Sequence, residues 1–194
     1  LCTKAICSVI PKFNSSKKMS GKSWEIILND VKEATILANE INDFKALQEC
    51  IFTKSILIGL KGSFVESIDA AWESYQISKK LEDKKGVGNA YFALAQSYFL
   101  GGDYLNAKKY FLKALSISKD EEWVNMTVVL NTFLSDLYLI NKQNLDKALT
   151  LCEKTIEMGI NYPIYLAGAY SKIGQIFIEK KEYQKALKNL YESE

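Results

Sequence analysis

The sequence predicts an all-α fold, an α-solenoid of antiparallel helix pairs running through about four and a half repeats. Three observations predict it. Apolar residues recur at three- and four-residue intervals over long stretches, and Pro occurs only at Pro11 and Pro163, so little in the chain forbids helix. Gly residues fall mostly between the periodic stretches. Above all, segments of one pattern return about every 40 residues.

Residues 1–22 read as a poorly specified leader, because the apolar stretch from Ala5 to Ile10 is short and no clear cleavage site follows it. A single array is expected over 23–194. It opens with a helix over 23–41 and continues as helix pairs at about 44–81, 84–119, 125–159 and 163–194. The last helix ends at Glu194 without a polar capping helix, so the chain is expected either to be a fragment of a larger protein or to meet a partner there, self-association through uncapped repeat ends included.

The second helix of each pair carries the repeat most openly. GSFVESIDAAWESY, GDYLNAKKYFLKAL and KEYQKALKNLYES superimpose without gaps, and NLDKALTLCEKTI and SWEIILNDVKEATI fit the same frame. The opening large residues, Trp24, Phe64, Tyr104, Leu145 and Tyr183, are spaced 40, 40, 41 and 38 apart. Three residues on come Ile27, Ser67, Ala107, Ala148 and Ala186, and four further on Val31, Ala71, Phe111, Cys152 and Leu190. These offsets put both sets on one helix face. The small residues mark where a neighbouring helix approaches closely, and the larger ones fill the space between.

The first helix of each pair runs on the same clock. Its packing residues are Tyr91, Leu94, Ala95 and Tyr98 in the clearest copy and Tyr170, Ile173, Gly174 and Phe177 in the last. Asn131, Leu134, Ser135 and Tyr138 are the third set, before a longer turn through Asn141 to Asn144. Ile51, Lys54, Ser55 and Ile58 are the first set, in which Lys54 replaces a packing residue.

Tyr91, Leu94, Ala95, Tyr98, Gly102, Tyr104, Ala107, Phe111 and Ala114, with Tyr170, Ile173, Gly174, Phe177, Tyr183 and Ala186, resemble the tetratricopeptide repeat (TPR) pattern over residues 23 to 194. The resemblance implies a right-handed TPR superhelix. The usual TPR period is shorter and closes on Pro, where Lys119 stands here. The long period is similar to that of the bacterial Rap and PlcR-type peptide sensors, kinesin light chain, and the TPR regions ahead of output domains in bacterial signalling proteins.

The composition removes whole classes of chemistry. There is no His, and all 25 basic residues are Lys, so His-based proton relays, His metal sites and the bidentate Arg grip are excluded. A formal net charge of +2 is a poor match for nucleic acid. The paired lysines, such as Lys79 with Lys80 and Lys108 with Lys109, alternate with acids and read as solvated surface. Glu121 with Glu122 falls in a predicted turn. Cys2, Cys7, Cys50 and Cys152 form no CxxC pair and are expected as thiols in a reducing cytosol. No apolar run is long enough to span a membrane. The chain is therefore expected to be cytoplasmic and non-enzymatic, with no cofactor, no metal, no catalytic residues, no nucleic-acid partner and no membrane.

In the family resembled, ligands lie in a groove lined by the first helix of each pair. Carried over, the groove positions are Phe52, Ile56 and Leu60; Asn89, Phe92, Gln96, Phe99 and Leu100; Thr132, Asp136, Leu139 and Ile140; and Ser171, Gln175 and Ile178. Glu49, Val129 and Gly168 extend the same rows. Some family members grip a C-terminal carboxylate with Lys, Arg and Asn, but Ile56, Gln96, Asp136 and Gln175 stand at those positions. The function implied is a protein- or peptide-binding scaffold or sensory module, part of a larger bacterial signalling or regulatory protein. The alternative is a peptide-responsive regulator of the Rap or PlcR kind, whose superhelix controls an output domain. Cover of the groove by the chain's own N-terminal segment is the competing arrangement.

Overall fold

A computed structural model describes residues 21–142, 144–158 and 163–193; residues 1–20 of the expected leader lie outside it. The described residues are helical throughout, apart from turns. The helices are α1 (Gly21–Glu40), α2 (Phe44–Lys61), α3 (Phe64–Lys80), α4 (Lys84–Leu100), α5 (Tyr104–Asp120), α6 (Val124–Ile140), α7 (Leu145–Met158), α8 (Pro163–Glu179) and α9 (Tyr183–Glu192). The chain divides into two compact units, Leu1–Tyr110 and Phe111–Glu194, with the boundary inside α5.

One turn design joins the helices. A residue in the left-handed region ends each helix whose following turn is described: Asn42, Gly62, Glu82, Gly102, Glu122, Lys142 and Lys181. The next N–H then reaches back over the last turn, from Asp43 to the Ala38 carbonyl at 2.9 Å, Asp83 to Ser78 at 3.0 Å and Asp103 to Tyr98 at 2.9 Å. This satisfies carbonyls that the helix end leaves without partners. The same Asp then caps the following helix. Oδ1 of Asp43 accepts from the Ala46 N–H at 3.0 Å, that of Asp83 from Gly86 at 3.0 Å and that of Asp103 from Asn106 at 3.1 Å, and Asn144 does this for Lys147 at 3.0 Å. A connection this short leaves consecutive helices antiparallel and packed side by side.

Packing follows the repeat frame. Ile27, Ser67, Ala107, Ala148 and Ala186 are all buried, as are Val31, Ala71, Phe111 and Cys152. In the first unit the close approaches are polar. Ser55 Oγ donates to the Ser67 carbonyl at 2.8 Å, Ser67 Oγ donates back to the Ser55 carbonyl at 2.7 Å, and the Ser67 and Ser97 hydroxyls adjoin. The three serines tie α2, α3 and α4 together, and a Cβ on Gly59 would meet Ser67 Oγ at 2.8 Å. Gln48 Nε2 adds a bond to Ser74 Oγ at 3.0 Å. Among the described residues no buried side-chain polar atom lacks a partner, so the seam carries no unsatisfied desolvation cost, which runs to about 1–3 kcal/mol per group.

Around this seam lies an aromatic cluster. Tyr98 and Tyr110 stack with ring centroids 5.7 Å apart, Trp72 meets Tyr110 edge-on at 6.0 Å, and Tyr75 lies 5.3 Å from Tyr91. Burial and the neighbouring Tyr75 push the Tyr91 hydroxyl up to about 12.

The second unit is more apolar. Phe111 stacks on Phe133 at 5.1 Å, and Ala148, Cys152, Ala169, Ile173 and Ile176 form a core cluster. Fully burying a side chain the size of Ile173 or Ile176 contributes roughly 1.5–3 kcal/mol. The cysteines correct one expectation. Cys152 is a buried free thiol, but Cys50 is disulfide-bonded, because spacing along the chain does not say which sulfurs the fold brings within bonding distance.

Candidate protein-binding site

The first helices of the pairs are α2, α4, α6 and α8. Helix α2 contacts α4, and α6 contacts α8, in addition to their sequence neighbours. Each therefore has a side turned to its second-helix partner, a side on the next first helix, and a remaining side.

In the first unit, α4 shows how sequence divides these sides. Gly86, Ala90, Ala93, Leu94, Ala95 and Ser97 are buried, a run of small residues with one Leu that lets the flanking helices close in. The expected groove residues of α4 alternate with them: Asn89, Phe92, Gln96 and Phe99 are half-buried and Leu100 is exposed. Phe99 packs against Tyr104 at 5.8 Å between centroids. On α2, Phe52, Ile56 and Leu60 are half-buried at four-residue spacing, next to the buried row of Ile51, Ser55 and Gly59. The structure thus sets both rows on two contacting helices. Apart from Asn89 and Gln96, the residues of both rows are apolar.

In the second unit the rows are more polar. Thr132, Asp136 and Leu139 are half-buried and Ile140 is exposed on α6; on α8, Ser171 is half-buried while Gln175 and Ile178 are exposed. Thr132 spends its hydroxyl on the Val128 carbonyl at 2.9 Å. Leu139 leans on the core cluster around Ile173, so it belongs as much to the interior as to the surface.

The strongest electrostatic feature here is a residue that the family frame passed over. Lys172 Nζ lies 3.2 Å from Asp136 Oδ1, and the Lys172 side chain is only 15% exposed. Burial raises the Asp136 pKa, with Lys172 opposing it through charge and a hydrogen bond. Burial also pushes up the nearby Cys152 thiol against a hydrogen bond with Ser135. A raised thiol is protonated and a poor nucleophile. The sequence did hold a signal for Lys172. Its register matches Ala93 and Phe133 of the other copies, and a cation at a packing position needs a partner.

Comparison with known proteins agrees with this geometry. Residues 88–121, spanning most of α4 and all of α5, match the tetratricopeptide repeat model. The chain has the tetratricopeptide-repeat fold. Solved structures similar to it include BtubC (BKLC) from P. vanneervenii, at a TM-score of 0.74 and 16% identity over 88% of this chain and 72% of that one. A putative kinesin light chain from Podosopora anserina with nearly identical TPR-like repeats aligns at a TM-score of 0.66 and 11% identity, over 88% of this chain and 85% of its own. A Rap protein complexed with competence and sporulation factor aligns at 0.72 and 14% identity, over 89% of this chain. This chain spans 59% of that Rap protein. No curated protein sequence matches the chain.

Proposed function

We propose that the tetratricopeptide array binds a polypeptide segment of a partner protein on the exposed rows of its first helices, as the non-catalytic interaction part of a larger bacterial signalling or regulatory protein. The observation that supports this most is the state of the fifteen groove positions: each is half-buried or exposed, while Leu94, Ala95, Leu134, Ser135, Ile173 and Gly174 of the packing set beside them are buried. Apolar surface kept at the solvent edge on rigid helices suits a bound helix or extended segment. Replacing Phe92 and Phe99 together by Ala tests it. Affinity capture with the parent chain should recover partners that the double variant loses while its helical circular dichroism stays the same; equal capture by both would overturn the reading.

The neighbouring Rap structure, complexed with competence and sporulation factor, favours a second reading: a peptide-responsive regulator in which a short peptide governs an output domain. A ligand that binds only the folded form raises its melting temperature. Short synthetic peptides that do so at saturating concentration support this second reading, and a partner that requires a folded domain supports the first. Neither reading involves nucleic acid. Self-association through the apolar outer side of α9, where Tyr183, Leu187 and Tyr191 are exposed, is a third contact open to the array, and concentration-dependent sedimentation tests it.

A further inference from the structure

Lys54 breaks the repeat. Its counterparts in the other first helices are Leu94, Leu134 and Ile173, whose relative exposures are 0%, 1% and 4%, whereas Lys54 is exposed. Where those copies carry a buried branched side chain, this one carries an ammonium on a flexible stem. Beside it, bounded by α1, α2 and the start of α3, is a cleft of about 400 Å³. Its apolar wall is Leu28, Ile36 and Ile58, and Lys32, Lys54 and Lys61 line it as well. None of the groove residues described above lines this cleft, so it is a separate site within the first unit.

The charge is one-sided. Glu66 is the single carboxylate on the wall against three ammonium groups. Among the described residues none of the three lysines is in an ion pair. Ser63, which also lines the cleft, precedes α3 without a side-chain capping bond.

We infer that the cleft binds a small anionic amphiphile, an aliphatic chain ending in a carboxylate. The tail buries against Leu28, Ile36 and Ile58, and the carboxylate takes the excess positive charge. A cleft of this volume falls in the range of small-ligand sites, about 300–1,000 Å³. A polypeptide suits it less well. The walls are helices whose backbone groups are already paired along the helix, so they offer a peptide backbone few partners, whereas an alkyl chain requires none.

Isothermal titration of the chain with octanoate, below its micelle concentration and at moderate salt, tests the inference. Saturable one-to-one binding is expected, with octanol at least tenfold weaker because it lacks the charge. Lys54→Leu should restore the residue type of the other copies, remove one of the three ammonium groups and weaken octanoate at least tenfold without lowering the melting temperature, which separates loss of the site from loss of the fold. Lys32→Gln combined with Lys61→Gln should weaken octanoate at least tenfold, and Phe92→Ala should leave it unchanged. The inference is overturned by the absence of saturable binding at millimolar octanoate, by equal affinity for octanol, by undiminished binding in Lys54→Leu, or by an acidic heptapeptide binding where octanoate does not.

Discussion

Lys172 of α8 reaches across to Asp136 of α6 and holds its carboxylate at 3.2 Å. Both side chains are more enclosed than a surface pair, at 15% and 31% exposed, so each depends on the other for the charge it loses to solvent. Lys172→Met alone leaves a partly buried carboxylate without its cation. It should cost about 1–3 kcal/mol, between the limits for surface and buried pairs. Lys172→Met with Asp136→Leu removes both charges and should recover most of that loss. Urea melts of the two single variants and the double variant measure the coupling; strictly additive losses would show that the pair contributes nothing as a pair.

The cap at Asp83 makes a pH-dependent contribution with a definite sign. Burial alone would raise its pKa, but the Gly86 N–H and the Lys45 ammonium at 3.2 Å together hold it below the ordinary value. A depressed folded pKa means that the stabilisation is fully present above the unfolded value of about 3.9 and is lost as pH falls through the folded one. Asp83→Ala should therefore cost roughly 1–2 kcal/mol at pH 7, and the gap between parent and variant should narrow steadily below pH 4. A gap that stayed constant down to pH 2 would show that the charged form is not what caps the helix.

Two glycines of α8 should respond to alanine in opposite directions. A Cβ at Gly174 would sit 2.7 Å from Leu190 Cδ2 and Cγ and 3.3 Å from the Ala186 carbonyl, whereas one at Gly168 meets nothing within 4 Å. Gly174→Ala must push α9 away or force Leu190 into another rotamer, at about 1–3 kcal/mol. Gly168→Ala gains the helix preference of alanine, about 0.5–1 kcal/mol. Thermal melts of the two variants check both signs in one experiment.

The repeat frame was legible because it rests on residues whose size the packing dictates. Ala107, Ala148 and Ala186 are small since a neighbouring helix passes over them, and Phe111 and Leu94 are large since they fill the space between helices. Such constraints show in a single sequence as periodicity. The turns were less legible. Gly62 and Gly102 announce themselves, but Glu82, Glu122, Lys142 and Lys181 take the same left-handed conformation without the residue that usually marks it. Lys172 and Cys50 were missed for another reason. The Lys172–Asp136 ion pair joins two different helices, and neither it nor the bonded state of the Cys50 sulfur is specified by a local pattern. The exposure of the groove rows was expected from the family frame, yet Leu139 shows its limit, since the frame counts residues along one helix and takes no account of what a neighbouring helix covers.

Those unmarked turns yield the last prediction. An L-residue in the left-handed region is strained by its Cβ against the following carbonyl, at roughly 1–2 kcal/mol, a strain that glycine does not have. Part of the gain on replacement is offset by the larger entropy that glycine loses on folding. Glu82 at φ 53° and Glu122 at φ 50° are both exposed, so their side chains contribute little that replacement would remove. Glu82→Gly and Glu122→Gly should each stabilise the chain by up to about 1 kcal/mol, and because the turns lie far apart in the sequence the double variant should approach the sum. Chemical denaturation with an unchanged slope and a raised midpoint is the expected readout. A lowered midpoint in both would mean that the glutamate side chains, and not the backbone, hold these turns.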